Sequence, residues 1–254
     1  MLPRAGPDAP WPTRLWVVRH GESAGNVARD HAESRGLEQL GLDIRDVDVP
    51  LSGLGKEQAR ALGRWTARQC SDEQPTVVWT SPYVRARQTA ELVLEAAGLD
   101  LPMIVDERLR EREFGVLDGL TGCGIRSQFP SESQRRATIG KFYHRPPGGE
   151  SWVDVALRLR LALDEIRVEA RGERVLLVVH QVVVLLTRYV LERMDEEQVL
   201  AIDAEGDVAP CSLTCYAHEP GAGRMRLLRF NEATALDDDV APGSDEADLP
   251  RALP

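Results

Sequence analysis

Short apolar runs alternate with longer stretches whose apolar residues recur at helical spacing. Leu15-Trp16-Val17-Val18 has the pattern of a buried strand, as do Thr76 to Thr80, Pro102 to Val105 and Val175 to Val179. Ser52 suits the N-cap of a helix running to about Gln69, since its hydroxyl can accept a first-turn N–H. Pro82 opens a helix through about Ala97, because a first-turn residue needs no N–H. Glu150 to about Arg171 is the longest helical pattern, with Val153, Val155, Leu157, Leu161 and Ile166 as its apolar positions. Another helix follows Val179 and runs to about Arg193. Ser212 to Ala217 and Met225 to Phe230 are late strands around Pro220-Gly221-Ala222-Gly223. This alternation predicts an α/β fold, a three-layer α/β/α sandwich around a mostly parallel sheet with helices on both faces. Such sheets bind ligands beyond the carboxyl ends of their strands. Arg19 and His20 follow the first strand, Ser81 and Arg85 the second, and His180 the fourth. Polar residues far apart in the sequence are thus expected on one edge.

Composition narrows the partners. The 254 residues carry a formal charge of -10. That field disfavours nucleic acid and anionic membranes, while a local basic pocket can still hold a small phosphorylated substrate. Cys70, Cys123, Cys211 and Cys215 show no disulfide rhythm, and Cys211, Cys215 and His218 fall short of a zinc set. Free thiols in a reducing cytosol are the simpler reading. No apolar run approaches the ~20 residues of a membrane span, and Met1 to Pro12 lacks the apolar segment of a secretory signal. A cytoplasmic protein is expected, with residues 1–13 as a disordered lead and 14–235 as one catalytic domain. Residues 236–254 read as a disordered tail with the acidic run Asp237-Asp238-Asp239. Oligomeric state is not encoded in any pattern found.

Chemistry concentrates in four segments. In Arg19-His20-Gly21-Glu22-Ser23-Ala24-Gly25-Asn26 a histidine at a strand end can present a ring nitrogen. Gly21 permits a tight turn, a helix starting near Glu22 would aim free N–H groups at an anion, and Arg19 adds a phosphate-shaped fork of donors. In Thr80 to Ala90, Arg85 sits one turn into a helix and can face the same pocket, whereas Arg87 suits solvent and Thr89 packing or capping. The glycine-punctuated segment Glu111 to Leu120 offers Glu111 and Glu113, either of which could give a proton to a departing oxygen. His180 ends an apolar strand on the same edge as His20. Two histidines and two arginines around one anion stabilise its charge without a metal or other cofactor.

Together these segments resemble the histidine phosphatase superfamily, also called phosphoglycerate mutase-like, from about Leu15 to Phe230. The resemblance implies His20 as the phosphate-accepting nucleophile, with Arg19, Arg85 and His180 on the phosphoryl oxygens and Ser23 and Asn26 assisting. It places the proton donor at Glu111, four residues before Gly115. Gly140 to Ser151 and His180-Gln181 resemble the bisphosphatase half of bifunctional fructose-2,6-bisphosphate enzymes and related stand-alone phosphatases. In that likeness Gln181 bonds substrate and Lys141 aligns with a sugar-phosphate-binding lysine. An arginine of those enzymes, four residues past the glutamine, is Leu185 here.

The expected activity is hydrolysis of a small phosphomonoester, a sugar phosphate among the candidates, through phosphohistidine. A mutase returning the phosphate to another hydroxyl is the nearest rival. A binding module without catalysis is the second. Specificity is expected from the loops between Leu117 and Pro147, where Arg126, Arg135, Arg136 and Lys141 either meet a second anionic group or face solvent.

Overall fold

The computed structural model describes residues 11–219, 221 and 223–233. Its strands are β1 (Arg14–Arg19), β2 (Val77–Thr80), β3 (Met103–Val105), β4 (Arg174–Val179), β5 (Leu213–Glu219) and β6 (Arg224–Glu232). Its helices are α1 (Ala24–Ser34), α2 (Gly53–Ala67), α3 (Val84–Ala97), α4 (Gly122–Gln128), α5 (Pro130–Ile139), α6 (Trp152–Glu169), α7 (Gln181–Leu191) and α8 (Glu196–Glu205). The six strands form one sheet in the order β3-β2-β4-β1-β5-β6. The first four of that order run parallel; β5 is antiparallel to β1, and β6 is antiparallel to β5. The mostly parallel α/β sandwich expected from the sequence is therefore observed.

Alternation along the central strands explains the layers. Leu15, Val17, Trp79, Val175, Leu177 and Val179 enter one core with α6 and α7. Their neighbours Trp16, Val18, Val78, Leu176 and Val178 enter another with α2 and α3. Both faces are buried because successive side chains on a strand point oppositely. Each fully buried aliphatic side chain contributes about 2 kcal/mol by leaving water. On the second face α2 and α3 pack closely because position 63 is glycine: a Cβ there would stand 2.5 Å from the Val93 carbonyl oxygen.

Several boundaries differ from expectation for local reasons. Ser81 Oγ accepts the Tyr83 N–H at 3.3 Å, so α3 begins at Val84 and Pro82 lies just outside it. Ser151 and Asp154 form a reciprocal cap that starts α6 at Trp152. Val155 and Ile166 of α6 are buried as expected, together with Leu159 and Leu163, but Leu157 and Leu161 are exposed. Trp11 to Thr13 belong to the body, not to a lead: Thr13 N–H donates to the Glu173 carbonyl at 2.8 Å. The rest of that lead and the acidic tail lie outside the described residues. Among the described residues no helix is long and apolar enough to cross a membrane.

Candidate active site

In-register parallel pairing places the two histidines. Arg19 of β1 lies opposite Val179 of β4, so His20 and His180 leave the sheet side by side. The His20 N–H donates to the Val179 carbonyl at 2.9 Å, and the Ser81 N–H past β2 donates to Val178 at 3.1 Å. The two imidazoles meet edge to face, with centroids 5.1 Å apart. Turn geometry needs two glycines: a Cβ on Gly55 would stand 1.9 Å from the Glu22 carbonyl oxygen, and one on Gly21 would stand 2.5 Å from that of Gly55.

Hydrogen bonding fixes the His20 tautomer. Nδ1 lies 2.7 Å from the Gly21 carbonyl oxygen, which can only accept, so Nδ1 carries the proton and Nε2 keeps its lone pair. Arg85 Nε donates to that Nε2 at 3.2 Å. The other end of the guanidinium is held by Asp46, through its main-chain oxygen at 2.6 Å and its carboxylate at 2.9 and 3.1 Å. Arg85 therefore turns its Nε edge, and not its tip, toward His20.

His180 Nε2 is 2.7 Å from Ser81 Oγ, and its Nδ1 is 3.8 Å from Glu111 Oε2. Complete burial, reinforced by the positive charge of Arg85 and then by His20, Arg158 and Arg19, holds the His180 imidazole well below its usual titration range. It is neutral at physiological pH until an anion enters. Glu111 is buried and accepts the Arg112 N–H at 2.8 Å. Arg158 fixes the same turn through the carbonyls of Arg108, Arg110 and Glu111 while pairing with Glu150. Glu113 instead lies at the surface, its carboxylate accepting from the Tyr83 hydroxyl at 3.2 Å. Of the two glutamates, Glu111 alone lines the cavity.

That cavity measures about 200 Å³, and Ser23, Arg85 and Glu111 are among the residues that border it. A cavity of about 240 Å³ elsewhere, beside Trp16, Trp65 and Cys215, gathers no comparable cluster. Cys211, Cys215 and His218 make no metal-binding group among the described residues.

The structure gathers His20, Arg85, Glu111 and His180, and it places the remaining candidates differently. Arg19 is wholly buried and donates to the Val208 carbonyl; it stays within electrostatic reach of His180. Ser23 lines the cavity, but its hydroxyl and the Asn26 side chain cap α1 reciprocally. Gln181 gives its amide to Asp207 at 2.9 Å. Lys141 pairs with Asp203 of α8 at 2.7 Å and, like Arg126, Arg135 and Arg136, is not among the cavity residues. The N–H groups expected to await an anion are also occupied: Gly21 bonds Thr89, Glu22 bonds Gln58, and Ala24 bonds Pro50. Thr89, read as a packing or capping residue, accepts the Gly21 N–H and so ties α3 to the His20 turn. Asp46 was not anticipated, because nothing distinguishes it in sequence from neighbouring Asp43 and Asp48.

Comparison with known proteins gives a family and a fold. Residues 15–232 match the family model described as histidine phosphatase superfamily (branch 1). A 2,3-bisphosphoglycerate-dependent phosphoglycerate mutase 2 of Gloeobacter violaceus is 35% identical over 75% of this chain and 81% of its own. A 2,3-bisphosphoglycerate-dependent phosphoglycerate mutase of Methylobacterium radiotolerans is 35% identical over 83% and 98%. Among solved structures, a mycobacterial glucosyl-3-phosphoglycerate phosphatase is 28% identical with a TM-score of 0.65, covering 87% of this chain and 99% of that one. A putative alpha-ribazole-5'-P phosphatase from Escherichia coli, 22% identical over 87% and 97%, shares the fold with a TM-score of 0.69. These likenesses do not single out the fructose-2,6-bisphosphatase branch.

Proposed function

The chain belongs to the histidine phosphatase superfamily, and on that footing we propose that it hydrolyses small phosphomonoesters through a phosphate carried on His20 Nε2. The observation that carries this reading is the His20 ring itself. Its proton is committed to the Gly21 carbonyl, and its lone pair faces a buried arginine edge. A phosphoryl group entering between Nε2 and Arg85 would meet the nucleophile and a donor pair together. Nε2 forms the new P–N bond as the ester P–O bond breaks. Arg85, His180 and Arg19 stabilise the charge on the transferring oxygens. Glu111 gives its proton to the leaving alcohol and then takes one from the water that cleaves the P–N bond, releasing inorganic phosphate. His180 gains a proton more readily once the anion is present, because negative charge raises its pKa. Ser23, Asn26, Gln181 and Lys141 are kept as substrate-side candidates of lower rank, their polar groups being already engaged.

A mutase reading is favoured by the phosphoglycerate mutases among the relatives. Incubation with 3-phosphoglycerate and with phenyl phosphate separates the two. Hydrolysis gives stoichiometric inorganic phosphate and an acid-labile, alkali-stable phosphoenzyme. A mutase gives 2-phosphoglycerate with little free phosphate. A binding module would turn over neither compound.

A further inference from the structure

The cavity beyond the reacting groups is walled by Leu40, Leu42, Ile44, Val49 and Phe114. Its remaining charged residues are Asp46, Asp118 and Arg29. The Asp46 carboxylate sits on the tip of Arg85, at the mouth of the phosphate site. Arg29, the cation on this wall, is within electrostatic reach of Asp118 and Glu33, and its charge partly offsets the burial that raises the pKa of both. Partial burial first, and then the Asp46 charge, push the Asp118 carboxyl above its usual range against the opposing pull of Arg29 and Arg85. None of Arg126, Arg135, Arg136 and Lys141, the basic residues expected to meet a second anion, borders the cavity.

Resting on the hydrolase reading above, we infer that Asp46 and Asp118 select the alcohol half of the substrate. The site takes phosphomonoesters whose alcohol is uncharged and partly apolar, and it rejects those bearing a second anionic group close to the ester. The dianionic phosphoryl group is accommodated by Arg85, His180 and Arg19. A carboxylate or second phosphate one or two carbons away meets Asp118 or Asp46 across a partly dry cavity, where like charges repel strongly. The apolar wall accepts a hydrocarbon or hydroxylated alcohol, and the charge of Arg29 is already shared with Asp118 and Glu33.

Glycerol 3-phosphate and 3-phosphoglycerate differ by a hydroxymethyl group against a carboxylate, and phenyl phosphate supplies a reference. The expected kcat/KM for glycerol 3-phosphate exceeds that for 3-phosphoglycerate by about tenfold or more. Asp118→Asn narrows that ratio several-fold, mainly by lowering KM for 3-phosphoglycerate. Raising ionic strength narrows it in the unmodified protein, since screening weakens the repulsion. Equal or better turnover of 3-phosphoglycerate, or a ratio indifferent to both salt and Asp118→Asn, overturns the inference while phenyl phosphate hydrolysis leaves the hydrolase reading standing. No phosphate release from any of the three removes that reading and the inference with it.

Discussion

His20 Nε2 accepts from Arg85 Nε at 3.2 Å, so the proposed nucleophile and the proposed phosphate-binding arginine already touch where a phosphoryl group would lie. The incoming group replaces this hydrogen bond with bonds to its own oxygens. Asp46 keeps the other end of the guanidinium in place throughout.

Replacing His20 by Ala removes the only atom to which phosphate is attached in the proposed cycle. Turnover falls to background, and rapid-quench trapping with labelled substrate recovers no phosphoenzyme. Full activity in this variant would sink the proposed chemistry.

Arg85→Lys keeps the charge but loses the flat edge that faces His20. A loss of about a hundredfold in kcat/KM is expected, the size of removing one preorganised donor from a transition state. Competition by vanadate weakens in parallel, which distinguishes lost phosphate binding from misfolding. Circular dichroism and the thermal midpoint are the controls.

Glu111→Gln preserves volume and the contact to the Arg112 N–H but cannot give up a proton. Its cost depends on the leaving group. Alkyl phosphates lose about 10²–10⁴-fold in kcat, whereas a nitrophenyl phosphate, whose leaving oxygen needs no proton, loses far less. A uniform loss across both esters would assign Glu111 to positioning alone.

Stability should fall as the medium is acidified below the ordinary histidine value of 6.5. The folded state holds His180 neutral well below that point, so in this window the unfolded chain binds the extra proton. Each unit of pH then removes about 1.4 kcal/mol per such group until the folded imidazole titrates. His144, whose imidazole burial also depresses, acts in the same direction. The arginine- and serine-bonded carboxylates Asp106, Glu150 and Asp154 titrate below the ordinary carboxylate range, so they do not confuse the interval. Urea midpoints between pH 7.5 and 5.5 test this, with His180→Gln flattening the slope.

Gly55→Ala adds one methyl group at a residue that does not line the cavity. It would lie 1.9 Å from the Glu22 carbonyl oxygen, and neither backbone can yield without shifting the His20 turn. A loss of about 1–3 kcal/mol in unfolding free energy is expected, with a fall in kcat at temperatures where the variant stays folded. Wild-type stability and rate would mean that α2 slides freely past this turn.

The strands and the residues at their ends were legible because β1, β2 and β4 are short apolar runs and parallel pairing sends their ends to one edge. Helices α4 and α5 were not. Gly122–Gln128 holds two glycines in seven residues, and Pro130–Ile139 buries only Ser133, so neither shows a strong apolar stripe. Part of the cavity wall was missed for a related reason, although Asp118 and Gly119 do come from the segment expected to set specificity. Residues 40–49 supply much of the wall, and their mixture of polar and apolar positions follows no period. Lys141 and Gln181 show the limit of motif reasoning. A motif names a side chain, but the acid that claims it, Asp203 or Asp207, arrives from a distant segment.

Strand β1 gives Leu15 and Val17 to one interior and Trp16 and Val18 to the other. It has no indifferent side. A methyl group lost beneath α6 or a bulky residue forced under α3 tilts the same short rod, and the tip of that rod is His20. Damage to either half of the molecule should therefore surface as misaimed chemistry before it surfaces as unfolding.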